Sequence, residues 1–171
     1  MQIPNLDAIA DGVFQFTSPV GILDQTMIEL LIEDCRSNKK GRSRINFHQS
    51  PSDLVQEMII AMHQRTDIAV HKHLYKSESF HVLYGEIAVV LFDGNTSDVN
   101  QTIRLKSGSD TQYYRLSTDM YHLVVPISDV SVIHETTQGP FEPESAQIAD
   151  WSTSDAGRSI VRSIRSNLLL N

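Results

Sequence analysis

The stretch His71-Lys72-His73-Leu74-Tyr75-Lys76-Ser77-Glu78 holds three side chains able to give a lone pair to a metal. Residues two apart share one face of a β-strand, so His71 and His73 present their imidazoles side by side while Lys72 faces away. A turn over 74–77 then brings Glu78 back on the neighbouring strand, where its carboxylate can meet the same point. Glu78, Phe80 and Val82 share that strand's inward face, and His81 lies outside it. Two imidazoles and a carboxylate with further positions open suit a divalent first-row metal that also binds water or substrate. His122, on a distant strand with Val124 as its inward neighbour, is the fourth candidate ligand. One histidine on an apolar face is ordinarily structural, and it is the combination at barrel-compatible spacing that points to a metal. The chain has a single cysteine, Cys35, and no paired-cysteine motif, so histidine and carboxylate must hold the ion. The expected cofactor is one divalent transition metal: Fe, Zn, Mn or Ni. Iron with open positions would favour oxygen chemistry, whereas a closed three-His, one-Glu zinc site would favour a structural or Lewis-acid role.

Other residues near this constellation carry two readings each. Arg44 can clamp an anionic substrate with two parallel hydrogen bonds, or serve as a structural partner of Glu57, Asp53 or Glu135. His48 either contacts substrate or satisfies local backbone. Tyr75, Lys76 and Tyr84 border the metal-site turn, where Tyr or Lys can act as acid or base; rim packing is the plainer role. The run Lys39, Lys40, Arg42, Arg44 could hold an anion, with a solvated helix end as the ordinary alternative. His63 and His81 read as surface or satisfied residues. His134 and Glu135 are adjacent on a strand, so only one of them looks inward.

The elements that must position these residues change period twice, near 66 and near 150. Asp24 caps a helix reaching about Asn38, because Met27, Ile28, Leu31, Ile32 and Cys35 fall on one face. Ser50-Pro51-Ser52-Asp53 reads as the start of a second helix, with Leu54, Val55, Met58, Ile59 and Met62 as its buried stripe. Short β-branched and aromatic stretches over 68–73, 78–84, 87–92, 102–105, 112–116, 121–126 and 130–135 read as antiparallel strands of a small barrel or jelly roll. A last helix carries Ile160, Val161, Ile164 and Leu168, with Ser154 or Asp155 as its cap. The expected organisation is a single structural domain: a helical extension over 1–65, a β-barrel over 66–136, and a loop and helix over 137–171.

The chain has 171 residues, 40% of them hydrophobic and 20% charged, which fits one globular domain and excludes a low-complexity chain. Its 14 Lys+Arg against 21 Asp+Glu give a net charge of -7, the wrong sign for a protein that wraps nucleic acid. Without an apolar run long enough to span a bilayer or a signal-like start, the expected setting is the cytoplasm, away from membranes.

His-x-His, four residues, Glu, six residues, Gly, here His71 to Gly85, resembles the first motif of the cupin superfamily. His122 falls where the second motif supplies its histidine, although Ser117 and Asp119 stand where that family often has Pro and Gly. A closer resemblance, covering most of the chain, is to the WbuC-type cupin-fold metalloproteins, small bacterial proteins often encoded among polysaccharide-synthesis genes. It rests on Arg44-Ile45-Asn46-Phe47-His48, on 53–58, on Phe92-Asp93, and on the segment 134–141, the likeness ending at Trp151. The resemblance implies a mainly β, cupin-type antiparallel barrel (jelly roll) with N-terminal helices and a C-terminal helix, a bound metal, and an inward role for Glu135. The expected function is a small metal-dependent enzyme, of isomerase, epimerase or dioxygenase type, acting on a sugar or sugar-nucleotide. The alternative is a non-catalytic module that binds a sugar or small acid and regulates a neighbouring pathway. The expected partner is a small, sugar-derived molecule bordered by Arg44, His48, Tyr75, Lys76, Tyr84 and Glu135. Cupins often dimerise through barrel edges and N-terminal extensions, so residues 1–20 are expected to strand-pair with a second copy.

Overall fold

A computed structural model describes residues 4–170. Twelve strands and two helices follow in the order β1 (Leu6–Ala10), β2 (Val13–Phe16), α1 (Gln25–Ser37), β3 (Arg42–Asn46), β4 (Val55–His63), β5 (His71–His73), β6 (Glu78–Tyr84), β7 (Glu86–Phe92), β8 (Val99–Lys106), β9 (Tyr113–Leu116), β10 (His122–Pro126), β11 (Val130–Gln138), β12 (Ala146–Ile148) and α2 (Asp155–Leu170). They form a seven-stranded sheet in the order β1-β2-β3-β4-β11-β6-β9 and a five-stranded sheet in the order β12-β5-β10-β7-β8. All pairings are antiparallel except that of β2 with β3. The fold is the expected cupin-type jelly roll.

Three apolar layers hold it. Between the sheets lie Ile60, Met62, Phe80, Val82, Val89, Val124 and Ile133 among others. Outside the larger sheet, α1 packs Met27, Leu31 and Cys35 on Ile45, Ile59 and Ala61. Outside the smaller sheet, Val161, Ile164 and Leu168 of α2 cover Ala88, Val90, Leu123 and Val125. Both helices start as the sequence directs: the Asp24 carboxylate accepts from the Met27 N–H at 2.9 Å, and of the two candidate caps it is Ser154 whose hydroxyl accepts from the Gly157 N–H at 3.0 Å.

The expected second helix is a strand. β4 lies between β3 and β11, with Ile60 and Met62 facing the barrel interior and Ile59 and Ala61 facing α1. A central strand buried on both faces is apolar at both parities, so its residues also fit a helical stripe. Ser50-Pro51-Ser52-Asp53 is the turn before it, in which the Asp53 carboxylate accepts from the N–H groups of Gln49 at 2.8 Å and Ser50 at 3.2 Å. Strands also form at β3 and β12, where none was expected, and within the stretch 1–20, expected to strand-pair with a second copy, β1 pairs with β2 and β2 with β3 of the same chain. The larger sheet therefore takes in chain well before residue 66.

Candidate metal centre

β5 is three residues long and hydrogen-bonds to β10 on one side and β12 on the other, with His122 directly opposite His71. Lys72 points out of the barrel, its Nζ 4.9 Å from the centre of the Tyr121 ring. Glu78 opens β6 in the facing sheet, not on a neighbouring strand of the same one, so its carboxylate reaches the histidines across the barrel interior. The ligating atoms of His71, His73 and His122 lie within 4.8 Å of one another, close to the span of two bonds of about 2.1 Å to one central cation. Glu78 joins them: Oε1 is 2.9 Å from His122 Nε2 and Oε2 is 3.5 Å from His73 Nε2. His122 is fully buried and Glu78 is 3% exposed.

The tautomers follow from the backbone. His71 Nδ1 lies 2.9 Å from the Ala69 carbonyl and His122 Nδ1 lies 3.0 Å from the Met120 carbonyl. A carbonyl only accepts, so each Nδ1 carries the hydrogen and each neutral ring turns a lone pair at Nε2 into the barrel. Such outer hydrogen bonds commonly orient metal-ligating imidazoles. His122 Nε2 and Glu78 Oε1 approach to 2.9 Å as an ion pair, and neither buried atom makes a hydrogen bond. Two acceptors this close call for a shared positive charge, which a proton or a divalent cation can supply. The residues present thus fit a metal.

The electrostatics agree. Burial and the neighbouring His122 push His71 down to about 4, and burial likewise lowers His73. Both rings are therefore neutral and ready to ligate near neutrality. Burial opposes ionisation of Glu78, but the three imidazoles hold its carboxyl below the ordinary range. His122 moves the other way, because the adjacent carboxylate outweighs its burial.

Two cavities with shared lining residues adjoin the cluster. The inner one, about 160 Å³, is bordered by His71, His73, Glu78, Arg42, Arg44 and Glu135 together with core apolar side chains. The outer one, about 380 Å³, shares His73, Arg44, Met58 and Glu135 with it and opens past His48, Lys76 and Phe141. Burial pushes the Glu135 carboxyl up to about 7, with Glu78 adding to the rise. His134, on the other face of β11, contacts the Glu57 carboxylate at 3.0 Å.

Of the six residues expected around a substrate, Arg44, His48, Lys76 and Glu135 border the outer cavity. Tyr75 is 87% exposed, in a left-handed conformation (φ 57°), with its backbone N–H on the Asp119 carboxylate. Tyr84 closes β6 opposite Val132, six residues from Glu78, and is half exposed. Neither tyrosine borders the cavities. His48 meets its plainer reading as well: its Nδ1 lies 3.1 Å from the Glu57 N–H and 3.0 Å from the Glu57 carbonyl, continuing the β3–β4 ladder. Lys76 donates to the Pro140 carbonyl and lies 3.9 Å from Glu142. Sequence reasoning missed Asn46 and Gln15, which also border the outer cavity. The alternation Arg42-x-Arg44-x-Asn46-x-His48 was the available signal, hidden because the basic residues read as the end of a helix.

Comparison with known proteins gives a likeness of fold. A family model described as a domain of unknown function (DUF6016) matches residues 23–105. No curated protein matches. The capsular polysaccharide assembling protein CapF from Staphylococcus aureus superposes with a TM-score of 0.52 at 18% identity, over 65% of this chain and 30% of that one. CapF with the inhibitor 3-isopropenyl-tropolone superposes equally well, at 0.52 and 17% identity, over 66% and 32%. A protein from Shewanella oneidensis reaches 0.60 at 8% identity, over 82% of this chain and 95% of that one. The chain thus spans about a third of the length of the CapF chains it resembles.

Proposed function

We propose that this protein is a small metal-dependent enzyme, of the isomerase, epimerase or dioxygenase type, that acts on a sugar-derived molecule in polysaccharide metabolism. His71, His73, Glu78 and His122 would hold one divalent transition metal. The observation that carries this reading is the convergence of three imidazoles and one carboxylate beside a cavity that His71, His73 and Glu78 border, with the buried His122 Nε2 and Glu78 Oε1 2.9 Å apart and neither making a hydrogen bond. Bound there, the metal would polarise a carbonyl or orient neighbouring oxygens of the substrate. Glu135, drawn up to about 7 by burial, can hold or release a proton near neutrality, as an acid–base step beside the metal requires. Arg44 and His48 would bind substrate from the wall of the outer cavity, and Lys76 from its rim.

The sugar assignment draws on the likeness to CapF, a capsular polysaccharide assembling protein, and on the resemblance to WbuC-type cupins. An outer cavity of about 380 Å³ lies toward the lower end of the roughly 300–1,000 Å³ usual for small-molecule sites and favours a monosaccharide-sized ligand over a sugar nucleotide. In this reading the protein works in the cytoplasm; no helix among the described residues is long and apolar enough to cross a membrane. It pairs with a second copy through β1, an edge strand of the larger sheet. A dimer in light scattering supports that pairing and a monomer rejects it.

Titration with Co(II) tests the centre. The wild-type chain should develop visible absorption bands that saturate at one equivalent, and His122→Ala should lose them. Bands that fail to saturate, or that persist unchanged in the variant, would reject the reading.

A further inference from the structure

The inward face of β3 carries a polar stripe that metal binding leaves unexplained. Strand alternation buries Ile45 against α1 and turns Arg44 and Asn46 to the barrel interior, while Arg42, on the same face at the start of the strand, is exposed. Arg42 borders the inner cavity, Asn46 the outer one and Arg44 both. Guanidinium groups are costly on an inward barrel face unless paired. Among the described residues neither arginine makes an ion pair; Glu57 is engaged by His134, Asp53 by backbone N–H groups, and Glu135, which borders both cavities with Arg44 and feels both arginines, lies beyond ion-pair distance of them. Arg44 Nε and Asn46 Oδ1 are buried with no hydrogen-bond partner. Two orphaned groups of opposite polarity on one strand, facing one pair of cavities, describe what is absent: an anion for the donor and a hydroxyl hydrogen for the acceptor.

We infer that this stripe recognises a compact hydroxy-carboxylate, with Arg44, reinforced by Arg42, taking the carboxylate and Asn46 Oδ1 accepting a hydrogen bond from a hydroxyl of the same molecule. The inference rests on the cavity being the ligand site, as proposed above, and narrows the sugar-derived substrate to a monosaccharide-sized acid. The planar guanidinium fork matches a carboxylate at two points, and a phosphate offers similar oxygens, so the test separates the two.

Gluconate and sorbitol differ only in a carboxylate against a hydroxymethyl group at one end. Calorimetric titration of the full-length, metal-loaded chain with each, and with inorganic phosphate, at ionic strength matched by NaCl, should give at least tenfold tighter binding of gluconate than of sorbitol. Arg44→Gln should abolish that preference while keeping the wild-type metal content and thermal transition. Arg44→Lys, which keeps the charge without the fork, should retain a reduced preference and serves if Arg44→Gln fails to fold. Equal affinity for the two compounds, no binding of gluconate, or a preference intact in Arg44→Gln would overturn the inference, and phosphate binding more tightly than gluconate would overturn its carboxylate assignment. Gluconate preference in a chain that binds no metal would sink the metal reading and leave this one standing.

Discussion

His122 has its Nδ1 committed to the Met120 carbonyl and its Nε2 beside Glu78 Oε1, so one buried ring links the backbone to the buried carboxylate. Removing it strands Glu78, at 3% exposure, beside neutral imidazoles. His122→Ala should therefore destabilise the metal-free protein by about 3 kcal/mol in urea unfolding; unchanged stability would contradict the pairing. Glu135 yields a pH prediction. Its carboxyl is raised from 4.5 to about 7, so between those values the folded state binds more protons than the unfolded state. Its contribution is full below 4.5 and is lost as pH rises through 7. Calorimetric melting of the metal-free chain should accordingly show a decline in Tm from pH 5 to about 7.5 that is smaller in Glu135→Gln; equal declines would remove Glu135 as the cause. Cys35 lies buried on the inner face of α1 with its thiol pushed up to about 11 by that burial, and should react with a thiol reagent only on unfolding.

At the scale of elements, the site depends on how β5, β6 and β10 are connected and held. Gly85 joins β6 to β7 at φ +75°, and a Cβ there would meet the Val130 carbonyl oxygen at 2.7 Å. Gly94 has φ +56° but open space around it. Gly85→Ala should thus cost about 2–3 kcal/mol and Gly94→Ala about 1 kcal/mol by chemical denaturation; equal costs would show that the close approach is relieved by local movement. The metal-site strands were legible because His71-x-His73 and the Glu78-x-Phe80-x-Val82 alternation each have one inward face. β4 was not legible, because burial on both faces erased the period that separates strand from helix. β12 covers only Ala146–Ile148, too short for any period, and exists as the neighbour of β5. β3 was hidden for the opposite reason: Arg44 and Asn46 face inward, against the rule that polar side chains lie outside. The four ligand candidates could be read from residue type and spacing, whereas Asn46 and Gln15 reach the cavity only through the pairing of β2 with β3.

Over the whole molecule, a chain of net charge -7 gathers Arg42, Arg44 and Lys76 around two adjoining cavities bordered by neutral histidines. The helices lie outside the two sheets, so the jelly roll leaves the barrel mouth to short loops, and the 139–146 segment carries Phe141 and Glu142 to its edge. This architecture serves a metal and a compact ligand together, and the metal is the claim on which the functional reading depends. The measurement that tests it most directly is metal per chain by elemental analysis. It should be made on protein purified without a His-tag under anaerobic conditions, beside a variant in which His71 and His73 are both changed to Ala. The account predicts near one equivalent of a transition metal in the wild type and none in the variant. No metal in the wild type after reconstitution with Fe, Zn, Mn or Ni, or equal metal in both proteins, would contradict it.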